Sequence, residues 1–188
     1  MADQAELHVH IVEDNERIAD MYRKWLSNKY TATVSYNGES ALEEIDGDVD
    51  IVLLDRDLPG ISGDEVLTKL REQSRNSYLI SMLTAQDPKV ELAQLNCDEY
   101  VRKPVPEEKL VSVVGKLFDR LEYSPELREY VALGRRLELI EEQYSDRQLS
   151  DQTEYEELQS KLKKLNEEVK AEIDTLSHNE QPDISFNV

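Results

Sequence analysis

Residues 1–120 predict an open α/β fold, a parallel sheet with helices on both faces, and three observations carry that expectation. Short apolar runs with strand character alternate with segments of helical period, the pattern that strand-helix-strand units produce. Two of the runs, Ile51–Leu54 and Tyr78–Leu83, are apolar almost without interruption, as strands covered on both faces must be. The runs also end in polar side chains, and ligand sites of open parallel sheets gather at the carboxyl ends of the strands.

In chain order the apolar runs are Leu7–Val12, Thr31–Tyr36, Asp50–Leu54, Tyr78–Leu83 and the weaker Glu99–Val101. Asn15 is a good N-cap, and Ile18, Met21, Tyr22, Trp25 and Leu26 recur behind it on one helical face. Ser62 precedes Val66, Leu67 and Leu70 in the same way, and Leu110, Val113, Val114, Leu117, Phe118 and Leu121 form a further stripe. From about Tyr123 the character changes. Ser124-Pro125 is an N-cap with a first-turn proline, after which Tyr130, Leu133, Leu137, Ile140 and Tyr144 step by 3, 4, 3 and 4. Residues 145–152 read as a polar loop. Thr153 with Glu156 makes a capping box, and Tyr155, Leu158, Leu162, Leu165 and Val169 repeat the same steps. Two heptad-spaced helices with a short connector predict an antiparallel hairpin, a dimeric coiled coil, or both. The boundaries expected are therefore a domain over 1–122, a helical hairpin over 123–177, and a polar tail over 178–188.

The chain carries 41 acidic and 22 basic residues, a formal charge of −19, and both halves share the excess. A surface of this kind repels nucleic-acid phosphates and anionic membranes, so cations are its natural small partners. The one cysteine, Cys97, excludes an internal disulfide and a multi-cysteine metal site, and it reads as inert. No secretory leader or membrane-length apolar segment is evident, and a cytoplasmic location is expected.

The polar residues at the strand ends form a constellation. Glu13-Asp14 follow the first run, Asp55 the third, Thr84 the fourth and Lys103 the fifth. Clustered carboxylates need a counter-charge, and Mg2+ is the hard cation that suits them. A carboxylate beside such a cation can attack a phosphoryl group, with an ammonium and a hydroxyl to receive the charge that develops.

These residues stand in the segments VED at 12–14, LLDRDLPGISG at 53–63, LTA at 83–85 and DEYVRKP at 98–104, whose order and spacing resemble the receiver domain of two-component response regulators. The resemblance implies a flavodoxin-like sheet of order 2-1-3-4-5, with Asp55 as phosphoacceptor. It implies Mg2+ held by Asp14, Asp55 and the main-chain carbonyl of Asp57, with Glu13 helping through water. Thr84 and Lys103 would contact the phosphoryl group, Tyr100 would swing inward with Thr84, and Pro104 would follow a cis peptide bond. Asn96-Cys97 replaces a Gly-Ala pair common at that place, and Asn96 is expected to keep the turn by adopting a left-handed backbone. The segment from SPELREYVALGRRLELIEEQY to LSDQTEYEELQSKLKKLNEEV is similar to the HalX domain found behind receivers in salt-loving archaea, and the acidic composition agrees with a halophilic cell.

The bland readings are a turn carboxylate at Asp55 and a packed core tyrosine at Tyr100. His8 and His10 alternate along one strand face, but no third ligand lies near in sequence, so a metal pair there is not expected. The function implied is a non-enzymatic phosphorylation switch. A sensor histidine kinase would be the donor, and the output would go to a downstream protein or to a second copy through the receiver face or the helices. A transcription regulator acting on DNA is the competing reading. Residues 121–188, with 17 acids against 8 bases, argue against direct DNA contact. An aspartyl-phosphate phosphatase is a third reading, weakened because DRDLP ends the third run rather than the first.

Overall fold

The computed structural model of the chain describes residues 7–73, 78–86, 95–149 and 152–175. The expected tail at 178–188 lies outside them. Five strands, β1 (His8–Val12), β2 (Thr31–Ser35), β3 (Ile51–Asp55), β4 (Leu79–Thr84) and β5 (Glu99–Arg102), pair in the order β2-β1-β3-β4-β5. Every pairing is parallel. The apolar runs of the sequence are the two central strands, and every residue of β3 and β4 is buried.

The period-two pleat sends alternate residues of β3 to opposite faces. Val52 and Leu54 join Val12, Ile80 and Met82 beneath helices α2 (Gly38–Glu44) and α3 (Gly63–Glu72). Ile51 and Leu53 join Val9, Ile11, Leu79 and Leu83 beneath α1 (Glu16–Leu26) and α4 (Glu107–Arg120). The expected caps form: Asn15 accepts from the amides of Arg17 and Ile18, and Ser62 from Glu65. Helix α2 was not singled out in the sequence. It has about two turns, and its entry is set by Asn37, whose side chain accepts from Ser40 N at 2.8 Å.

Beyond the sheet, α5 (Pro125–Glu141) and α7 (Thr153–Thr175) form an antiparallel pair, joined through the single turn α6 (Asp146–Leu149) where a plain loop was expected. Leu127, Tyr130, Leu133 and Leu137 of α5 close on Leu162, Leu165 and Val169 of α7, the heptad stripes read from the sequence. Glu172, near the end of α7, accepts from Ser124 N and Ser124 Oγ at 3.0 and 2.5 Å and so ties the start of one helix to the end of the other. The helix starts one residue earlier than the expected capping box: Tyr155 N and Glu156 N bond the carbonyl of Gln152, so Thr153 lies inside the first turn rather than at the N-cap. Among the described residues no non-glycine has a positive φ, so Asn96 is not left-handed as expected. A bond from Cys97 N to Leu95 O at 2.9 Å closes that turn instead.

His8 and His10 do face one side, but a hydroxyl joins them. Thr33 Oγ1 lies 2.7 Å from His8 Nε2 and 2.8 Å from His10 Nδ1, and His10 Nε2 lies 2.7 Å from Ser35 Oγ. Ser35 Oγ donates to Glu44. Burial pushes the His10 imidazole down from 6.5 to about 4, against the pull of the Glu44 carboxylate. The unfolded chain therefore binds a proton at His10 before the folded chain does. The stabilisation is complete above about pH 6.5 and is lost as the pH falls toward 4, on the order of 3 kcal/mol in all. Urea unfolding of the wild type and of His10→Asn across that range should converge at the acid end.

Candidate functional site

The carboxyl ends of four parallel strands deliver the predicted residues to one place. Glu13 and Asp14 follow β1, Asp55 is the last residue of β3, Thr84 the last of β4, and Lys103 the first after β5. Main-chain bonds carry the sheet register past its end: Glu13 N donates to Ser35 O at 3.1 Å, Arg56 N to Leu83 O at 2.9 Å and Lys103 N to Thr84 O at 2.7 Å. The peptide bond between Lys103 and Pro104 is cis, as expected.

Carboxylate oxygens of Glu13, Asp14 and Asp55 all lie within 4.8 Å of one another. Glu13 and Asp55 are buried, whereas Asp14 is exposed. Lys103 Nζ reaches between the buried pair, 2.6 Å from Glu13 Oε2 and 2.9 Å from Asp55 Oδ2. Burial works against the Lys103 ammonium, but its bonds to Glu13 and Asp55 outweigh it and hold the pKa above the ordinary lysine value. Burial pushes Glu13 above the usual carboxylate range, with the Asp55 charge adding to the rise and the Lys103 bond opposing it. Three carboxylates against one ammonium leave a formal surplus of two negative charges. Hard oxygen donors with that surplus, one of them open to solvent, fit a divalent cation such as Mg2+.

Thr84 is fully buried, and its Oγ1 accepts from Gln86 N at 3.1 Å. The exposed Asp57 side chain accepts from Gln86 Nε2 at 2.9 Å, while its main-chain amide donates to Asp55 Oδ1 at 3.2 Å, so two loops bridge beside the Asp55 carboxylate. Tyr100 is packed inside at 8% exposure, and its hydroxyl has no hydrogen bond among the described residues. Burial pushes its phenol up, and the neighbouring Thr84 hydroxyl and Arg56 guanidinium oppose that rise.

Sequence reasoning passed over two supports of this site. Arg56 makes a two-pronged bond to Asp64, at 3.0 and 2.9 Å, and pins the loop after Asp55 to the start of α3. Gly63 sits so close beneath that loop that a Cβ would lie 2.2 Å from Asp55 O and 2.7 Å from Arg56 Cα. Main chain cannot yield as a flexible side chain does, so Gly63→Ala should lose about 3 kcal/mol in urea unfolding and displace the Asp55 carboxylate. A loss below about 1 kcal/mol would mean that the loop adapts freely.

Comparison with known proteins follows the same outline. Residues 9–115 match the family model described as response regulator receiver domain, and residues 119–185 match the HalX domain. A candidate transcriptional regulator of Haloferax volcanii is 35% identical over 178 residues, covering 94% of this chain and 30% of that protein. The Mycobacterium tuberculosis sensory transduction protein RegX3 is 38% identical over 117 residues, 60% of this chain and 51% of its own. The chain thus spans about half or less of these relatives' length. The Thermotoga maritima response regulator protein TrrA, solved in complex with Mg2+ and BeF, superimposes with a TM-score of 0.54 at 32% identity over 59% of this chain and 98% of that one. A Francisella response regulator receiver domain gives 0.55 at 26% identity, over 62% and 99%.

Proposed function

We propose, for a chain that belongs to the response regulator receiver family and carries a HalX domain behind its receiver, that it is a phosphorylation switch acting through Asp55. The single observation that supports this best is the buried Asp55 carboxylate at the end of β3, 2.9 Å from Lys103 Nζ and inside a carboxylate cluster suited to a divalent cation. Asp55 is the acceptor: one carboxylate oxygen forms a bond to phosphorus as the bond from phosphorus to a histidine nitrogen of the donor kinase breaks. Lys103 and Thr84 receive the oxygens of the transferring group.

Asp14 and Asp55, the main-chain carbonyl of Asp57, and Glu13 through water are the ligands we assign to Mg2+. Bound there, the ion neutralises charge on the phosphoryl oxygens. Thr84 and Tyr100 form the switch, the receiver runs over 1–122, and the helical hairpin over 123–177 carries the signal to a protein partner or a second copy. Regulation rather than turnover of a substrate is the role the family membership supports, and no helix among the described residues is long and apolar enough to cross a membrane. We place it in the cytoplasm. The name of the Haloferax volcanii relative favours an output in transcription, and the acidic C-terminal part favours reaching it through another protein rather than through DNA phosphates.

Intact mass after incubation with acetyl phosphate and Mg2+ in high salt tests the acceptor chemistry. One phosphoryl adduct per chain is expected. No adduct under rapid acid quenching would overturn the reading.

A further inference from the structure

Helix α5 is buried on two opposite sides. One side is the seam with α7; the other carries Ala132, Arg136 and Leu139, spaced by four and three residues, and faces the receiver. Leu139 packs against the cluster that contains Cys97 and Tyr100, and α5 runs against β5. Between these apolar contacts stands a guanidinium: Arg136 is 9% exposed, its Nε donates to Ala132 O at 3.2 Å and its Nη1 to Leu95 O at 2.5 Å.

A leucine or methionine would hold two packed elements together as well or better, because a buried charge is a weak source of stability. What a charge adds is dependence on geometry. Leu95 O accepts both Arg136 Nη1 and Cys97 N, so one oxygen fixes the turn before β5 and the seat of α5 together. The same short connector is held from the receiver side by Arg71, which donates to Asn96 O at 2.9 Å, and by Arg120, which donates to Asp98 O at 3.0 Å. Tyr100 follows two residues later on the strand that this connector opens. A shift of β5 that turns the Leu95 carbonyl away removes one of the bonds that seat the buried guanidinium, which favours release of the helix.

We infer that Arg136 is the residue that couples the receiver to the helical hairpin: it seats α5 on the β5 edge in the unmodified chain, and charging the Asp55 site weakens that seat. This rests on the phosphorylation reading above and names its output.

Hydrogen exchange read by mass spectrometry on the full chain, with and without Mg2+ and beryllofluoride, tests it. In the wild type the probe should slow exchange around residues 55–57 and 84–86 and speed exchange across residues 125–141 by about threefold or more. Arg136→Met should keep the slow exchange across 125–141 seen without the probe and respond little to it, while the response of Arg136→Lys should lie between. Slowing at the site with no response in α5 overturns the coupling alone, and an Arg136→Met response equal to that of the wild type overturns the role of Arg136. No slowing at the site overturns the phosphorylation reading and this inference with it. The wild-type comparison decides the coupling even if a variant misfolds.

Discussion

Asp55→Asn should take up no phosphoryl group from acetyl phosphate while remaining folded, a loss of at least about a thousandfold in rate. The amide is nearly isosteric with the carboxylate but carries no charge and is a far poorer nucleophile. Structure should survive because Lys103 keeps its bond to Glu13 at 2.6 Å, so no ammonium is stranded. Removing one of three clustered carboxylates also relieves repulsion, so the stability should stay within about 1 kcal/mol of the wild type. Intact mass reads the first effect and urea unfolding the second. An adduct that persists in Asp55→Asn would move the acceptor elsewhere, and Asp14 and Asp57, the neighbouring carboxylates, would be next to replace. A variant that unfolds would instead make Asp55 a structural partner of Lys103, which the second bond to Glu13 argues against.

Much of this site could be read before the fold was known, and the reason is local. Each predicted site residue except Tyr100, which lies within β5, stands at or just after the end of an apolar run, so the parallel sheet brings them together without any knowledge of side-chain packing. The caps Asn15, Ser62 and Ser124 were legible for a similar reason, since each bonds to an amide two or three residues ahead. Features that depend on distant partners were not legible. Asn96 looked suited to a left-handed turn, but the bond from Cys97 N to Leu95 O and the arginines gathered on the connector fix another backbone. The heptad stripe of α5 was plain, yet its opposite face was missed because Ala132 and Arg136 have no apolar signature. Only the receiver's presence makes that face an interior. Helix α2 was missed because it is too short for a periodic stripe, with only Gly38 and Ala41 buried.

The ammonium at the centre of the cluster produces the second large effect. Lys103→Met should slow phosphoryl uptake by about a hundredfold or more, since a fixed positive charge at the reacting oxygens is lost. It should also make stability depend on pH and on Mg2+ in a specified direction. Glu13 is already held above the usual carboxylate range by burial, and Lys103 is what opposes the rise. Without it the folded-state pKa climbs further, so the folded chain binds a proton that the unfolded chain has released. Stability is then lost as the pH rises from the unfolded carboxylate value through the higher folded one. The variant should lie close to the wild type near pH 4.5 and fall about 3 kcal/mol below it at pH 7.5. Millimolar Mg2+ should recover more of that loss in the variant than it adds to the wild type, because the ion no longer competes with an ammonium for Glu13 and Asp55. Urea unfolding at the two pH values, with and without Mg2+, reads all of this. An equal loss at both pH values with no recovery by Mg2+ would mean that Lys103 matters through its packed stem. A loss confined to high pH and reversed by the ion would mean that the three carboxylates behave as one site whose charge the protein alone does not balance.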